Sequence, residues 1–195
     1  MSDTSVFQWI NGLSGHVPFF DEFFKGFAND YFALVVGMLL MIWLWFASRD
    51  PAVRDRNQRT VILTMISIGM AATAMVLINN NMEPRLRPFD VLPPDQVNVV
   101  FYRPLDSSFP ANYAAIMFSM AFPVLFRNWR YGLWLLAFAV VGGFGRIYMG
   151  VHYPLDVLAG AGCGLLGCGV AYFLYWVFGW FITLLLKVFR FLALA

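Results

Sequence analysis

Charge is scarce in this chain. Lysine, arginine, aspartate and glutamate make up 12% of its 195 residues, and 61% are hydrophobic. A soluble domain carries roughly a quarter charged residues, so the composition excludes an ordinary soluble protein and points to a single membrane domain spanning residues 1–195. Net charge is equally small: at +2 it offers no basis for binding nucleic acid. Cysteine is almost absent. Cys163 and Cys168 are the only two, and at five residues apart on a helix they do not face each other, so packing rather than a disulfide is expected. The opening residues, Met1-Ser-Asp-Thr, lack a basic stretch and a small-residue cleavage site, and no removable signal peptide is expected. Neither an internal repeat nor a low-complexity linker occurs. The central apolar stretches hold almost no ionisable residues, which argues against an ion channel or pump.

What remains is apolar and aromatic, with 21 Phe, 8 Tyr and 7 Trp of the kind that populate lipid-facing surfaces and interfacial belts. Residues 4–27 mix Val6, Phe7, Ile10, Phe19 and Phe23 with polar residues and breaks at Gly15 and Pro18; they read as one or two amphipathic helices lying in the interface. A five-span core follows over residues 31–178, with spans near 31–47, 61–79, 111–126, 131–148 and 155–178. Asp30 is expected to cap the first. Ser48 to Thr60 reads as a polar loop, and the proline-rich residues 80–109 as a long one of the kind that is functional or disordered. The tail, 179–195, reads as a sixth span or an interfacial helix. Glycines in the fifth span, from Gly160 to Gly169, predict close helix packing. The expected fold is all-α, a polytopic bundle of five to six spans.

Polar clusters gather at one end of this bundle. Eight of the thirteen basic residues, among them Arg54, Arg59, Arg127 and Arg190, fall at the other. Positive charge marks the cytoplasmic side, so the reactive end is expected to be extracytoplasmic.

The densest cluster is Gly145-Arg-Ile-Tyr-Met-Gly-Val-His152-Tyr-Pro-Leu-Asp156. Arg146 offers a planar fork of charge-assisted donors suited to phosphate. His152 is a competent nucleophile when neutral. Asp156 lies one helical turn on, where it can accept the second imidazole proton and set the tautomer. A second cluster, Pro84-Arg-Leu-Arg-Pro88, puts Arg85 and Arg87 at membrane depth, a costly position unless they meet an anion. A third runs from Arg103 to Tyr113, where Asn112 and the free N–H groups of a new helix can hold an anion.

In order and spacing, Arg87-Pro88, Phe109-Pro110 and Arg146-x5-His152-x3-Asp156 resemble the type 2 phosphatidic acid phosphatase superfamily. Ser-Ser-Phe-Pro followed by Tyr-Met-Gly-Val-His-Tyr-Pro-Leu-Asp looks most like its bacterial undecaprenyl-diphosphatase branch. The resemblance covers residues 60–175. It implies a helical membrane bundle, no metal or cofactor, and a histidine nucleophile that takes phosphate from lipid phosphates or diphosphates in a bacterial-type cytoplasmic membrane. Its partners are then membrane lipid and the lipid phosphate itself.

The chain departs from the family pattern at four places. Asn80 stands where a lysine opens the first motif. Ala111, Asn112 and Tyr113 stand where Ser, Gly (or Asp or Asn) and His complete the second. Gly145 replaces a serine. The absent histidine is the family's proposed acid for the leaving group. Loss of such an acid costs roughly 10²–10⁴ in rate when the leaving group is poor. A lipid monophosphate leaving from a diphosphate is less basic than an alkoxide and needs the proton less. Tyr113 is the expected substitute donor. His152, Asp156 and Tyr113 are therefore the candidate catalytic residues. Arg87, Arg146, Arg85, Asn80, Asn112 and Arg103 are the candidate phosphate ligands. The eroded motifs also permit a second reading, a protein that binds or carries lipid phosphates without hydrolysing them.

Overall fold

The computed structural model describes residues 2–100 and 102–192. Met1, Phe101 and residues 193–195 of the expected tail lie outside them. The described residues form eight α-helices: α1 (Asp3–Asn11), α2 (Pro18–Ala28), α3 (Phe32–Phe46), α4 (Pro51–Asn81), α5 (Pro88–Val91), α6 (Asn112–Arg127), α7 (Trp129–Tyr148) and α8 (Pro154–Phe191).

α4 begins earlier than the charge pattern implied. The stretch expected as the loop Ser48–Thr60 is mostly helix, because Pro51 sits in the first turn and Asp50 accepts from Ala52 and Val53 N–H at 2.8 and 3.2 Å. At 31 residues α4 is about 46 Å long, so its charged first turns extend past a hydrocarbon core of about 30 Å. The tail likewise adds no separate element within the described residues. It continues α8, a 38-residue helix broken only at Phe178, where φ is −112° and ψ 19°. These two overhangs run together: Arg190 and Arg59 both reach Asp55 at 2.7 Å, and Arg59 donates to Thr183 at 3.1 Å.

Three helices, α4, α7 and α8, are each long and apolar enough to cross a membrane; α2 and α3, bent by 54°, pass together as a fourth. α6 has 16 residues, short of the roughly 20 a span needs, yet it packs against α3, α4, α7 and α8 at the bundle centre. The α6–α8 approach depends on glycine. A Cβ on Gly160 would lie 2.5 Å from Ala111 O, and one on Gly164 2.7 Å from Ser119 N. This close contact presses the start of α6 against the first turns of α8.

The N-terminal segment folds as two helices and covers one end of the bundle. Phe7, Ile10 and Ala28 pack with Val97, Tyr148, Met149, Val151 and Tyr153. Asn11 pins this cap: its Nδ2 donates to Asn98 O and Tyr148 O at 2.9 and 2.8 Å, and its Oδ1 accepts from Asn98 N–H at 2.8 Å. Asp30 does not cap α3. The N-cap is Tyr31, without a side-chain cap, and it is Asn29 that accepts from Tyr31 and Phe32 N–H, at 2.8 and 3.3 Å, which leaves Asp30 for another use.

Candidate active site

The site lies at the capped end, where the link after α4, the start of α6, the α7–α8 turn and α1 converge. The turn is shaped by Gly150, whose φ of 81° suits glycine and whose Cβ would meet Asn98 O at 2.8 Å. Two residues later comes His152, 2% exposed. Pro154 then opens α8, with Asp156 reaching back to accept from Tyr153 N–H at 2.8 Å in a capping box.

His152 is held through both nitrogens. Nδ1 lies 2.9 Å from Ser108 O and Nε2 3.2 Å from Arg87 Nη1. A carbonyl only accepts and a guanidinium only donates, so Nδ1 carries the proton and Nε2 presents a lone pair. This corrects one expectation. The acceptor for the imidazole proton is the Ser108 carbonyl, while Asp156 Oδ2 stands 3.9 Å away. Asp156 acts at one remove. It is wholly buried, and its Oδ2 takes the Ser108 hydroxyl at 2.6 Å, fixing the residue that fixes the histidine. Burial, with the positive charges of Arg87 and Arg146 nearby, pushes the His152 pKa below its ordinary 6.5, against the opposing pull of Asp156.

The three arginines differ in their partners. Arg85 is clamped between Asp156 at 2.6 Å and Asp3 at 2.7 Å and stacks on Tyr153 at 4.3 Å. Asp3 also accepts from Leu155 N–H at 3.0 Å, so α1 is tied to the first turn of α8. Arg87, 2% exposed, donates to Asp106 O, Val151 O and Asp106 Oδ1 at 3.0, 2.9 and 2.8 Å besides facing His152. Arg146, 3% exposed, pairs with Asp30 and stacks on Tyr113 at 4.8 Å; its Nε is buried with no hydrogen-bond partner among the described residues.

The remaining expected residues fall elsewhere. Asn80 is exposed on the last turn of α4. Arg103 is exposed and stacks on Phe89 at 5.5 Å, at the rim. Asn112 is exposed and donates to Asp106 Oδ2 at 3.0 Å. Tyr113 is in place, but its hydroxyl is not: it donates to Phe27 O at 3.0 Å, against Gly142. Its rotation on α6 turns the phenol away, and its ring serves Arg146 as a platform. At Gly145 a Cβ would lie 3.2 Å from the Phe24 carbonyl of α2, so a serine there would require α2 to give by a few tenths of an ångström. Ser108, Asp106 and Asp3 were not singled out as site residues from sequence, and Asp30 only as a helix cap. Ser108 and Asp106 lay within the Arg103–Tyr113 cluster, Ser108 in its Ser-Ser-Phe-Pro segment.

Comparison with known proteins matches the same region. The family model of the PAP2 superfamily covers residues 78–183. The bacitracin transport permease protein BcrC of Bacillus licheniformis is 31% identical over 173 residues, 88% of this chain and 78% of that protein. The undecaprenyl-diphosphatase BcrC of Bacillus subtilis is 28% identical over 153 residues, 78% of this chain and 74% of that protein. Among solved structures, Aquifex aeolicus LpxE is similar with a TM-score of 0.67 and 28% identity, over 86% of this chain and 93% of that one. The matched segment runs from the last turn of α4 past the break in α8 and contains Arg87, Ser108 and Asp156, the polar neighbours of His152, and on that ground this multi-pass membrane protein belongs to the PAP2 superfamily of lipid phosphatases.

Proposed function

We propose that the protein removes the terminal phosphate from a lipid diphosphate, with a polyprenyl diphosphate the best-fitting substrate, through a phosphohistidine on the extracytoplasmic face. The observation that carries this reading is the posture of His152: a neutral imidazole whose Nε2 lone pair faces the Arg87 fork at 3.2 Å. Arg87 and Arg146 hold the phosphate. Nε2 bonds to phosphorus as the bridging P–O bond breaks, and the electron pair leaves with the lipid monophosphate. Water then attacks the phosphohistidine, releasing orthophosphate and restoring the imidazole. Because the Tyr113 hydroxyl is spent on Phe27 O, a leaving group that departs without a proton is favoured, and this singles out diphosphates over monoesters. The names of the undecaprenyl-diphosphatase relatives agree with that choice. The membrane side rests on the eight basic residues at the far end.

Phosphate release by the purified protein from a panel of lipid diphosphates and monophosphates tests the reading. Diphosphates are expected to turn over faster. Release from none, with lipid still bound, would establish the binder instead. Tyr113→Phe is expected to leave the rate nearly unchanged, rather than lower it the roughly 10²–10⁴-fold that loss of a general acid costs. A drop of that size would show that the phenol reaches the leaving group.

The pH profile has a definite sign. The nucleophile must be unprotonated, and its folded pKa lies below 6.5. As pH falls, kcat/KM should therefore hold through 6.5 and decline only at lower pH. An acid limb centred above 6.5 would contradict the buried, neutral histidine.

A further inference from the structure

We propose that Asp30 and Asp106 occupy, in the empty site, the positions that substrate phosphate oxygens take, and that both leave their arginines when phosphate arrives. This rests on the reading of the site as a phosphate site.

The charges demand such a release. Arg85, Arg87 and Arg146 face four carboxylates, those of Asp3, Asp156, Asp106 and Asp30. The cluster around His152 is thus one charge negative, a poor host for a di- or trianion. Arg87 is also saturated, with its Nε and both terminal nitrogens already bonded to protein acceptors. A phosphate gains no donor there until one acceptor moves.

Exposure separates the carboxylates that can move from those that cannot. The Asp156 side chain is 0% exposed and that of Asp3 13%. Those of Asp106 and Asp30 are 53% and 41% exposed. Leaving an ion pair for water costs little when the carboxylate is already half in water, and a great deal when it is buried. The releasable partners sit only on the two arginines that serve phosphate; Arg85 keeps buried partners and acts as a cross-link. Each releasable carboxylate also keeps a second partner, Asn112 for Asp106 and Tyr102 for Asp30.

Position supports the assignment. Asp30 lies in the 54° break between α2 and α3, a short segment outside either helix. It lines a cleft of about 200 Å³ with Leu34, Asn112, Tyr113 and Met117. The Tyr113 ring that lines this cleft is the one on which Arg146 stacks, and the buried Arg146 Nε has no hydrogen-bond partner among the described residues, a donor that an anion could take.

Orthophosphate is the probe, titrated by thermal shift into the full chain in detergent. Asp30→Asn and Asp106→Asn keep the shape and one of the two acceptor oxygens but remove the competing charge. Each should bind orthophosphate about fivefold more tightly than wild type, and the double variant more tightly still. Unchanged or weaker binding in both single variants, with wild-type melting temperatures in the absence of phosphate, overturns the proposal. So does failure of both to fold, which would make the carboxylates structural. If no protein in the series binds orthophosphate, the phosphate-site reading itself falls.

Discussion

His152→Ala should lower phosphate release to about one-thousandth of wild type or less, the scale of losing a nucleophile whose partners act as a unit. The expectation comes from the geometry on both sides of the ring. The Ser108 carbonyl takes the Nδ1 proton and Arg87 faces Nε2. No other histidine is near: His16, the only other one in the chain, lines an apolar cleft with Leu13, Phe20 and Tyr148. Alanine leaves the arginines in place, so lipid phosphate binding should survive. Burst-phase measurements that detect no phosphoenzyme in the variant would agree. Turnover within tenfold of wild type, at equal protein stability, would mean that water attacks phosphorus directly and that the histidine only binds.

Arg87→Lys should reduce kcat by about 10²–10³ with a smaller change in KM. The substitution preserves charge and removes the fork. One ammonium cannot reach Val151 O, both acceptors of Asp106 and His152 Nε2 together, as the guanidinium does. The loss should therefore fall on orientation, both of phosphorus and of the imidazole that attacks it. A kcat equal to wild type with a raised KM would show that Arg87 contributes charge alone.

Much of this was readable from residues. Arg146, His152 and Asp156 came from a spacing that a helix start and its preceding turn enforce, and the structure brings them to the same end of the bundle. That the polar clusters share one end of the bundle followed because loops between spans must alternate ends. Other features were not readable, for identifiable reasons. Tyr113 has the right position in the chain, but the rotation of α6 sends its hydroxyl to Phe27, and rotation depends on packing rather than spacing. Asn80 is in register with a lysine yet lies on an exposed face of α4. Asp30 and Asp106 read as an ordinary cap and an ordinary loop residue, because only tertiary folding selects their partners. The charged residues 50–60 read as loop because charge was equated with the membrane boundary, although Asp50 and Pro51 form a helix-start signal.

The link between Asp3 and Leu155 joins residues 152 positions apart, and that between Arg85 and Asp156 spans 71. Closing such loops is slow and entropically costly. During synthesis, α1 to α7 can insert and pack before the carboxylate of Asp156 exists in the chain. The contacts of Asp156 with Ser108 and Arg85 therefore cannot close until the first turn of α8 has been made. A chain arrested before α8 would carry His152 and its arginines without the carboxylate that ties them together.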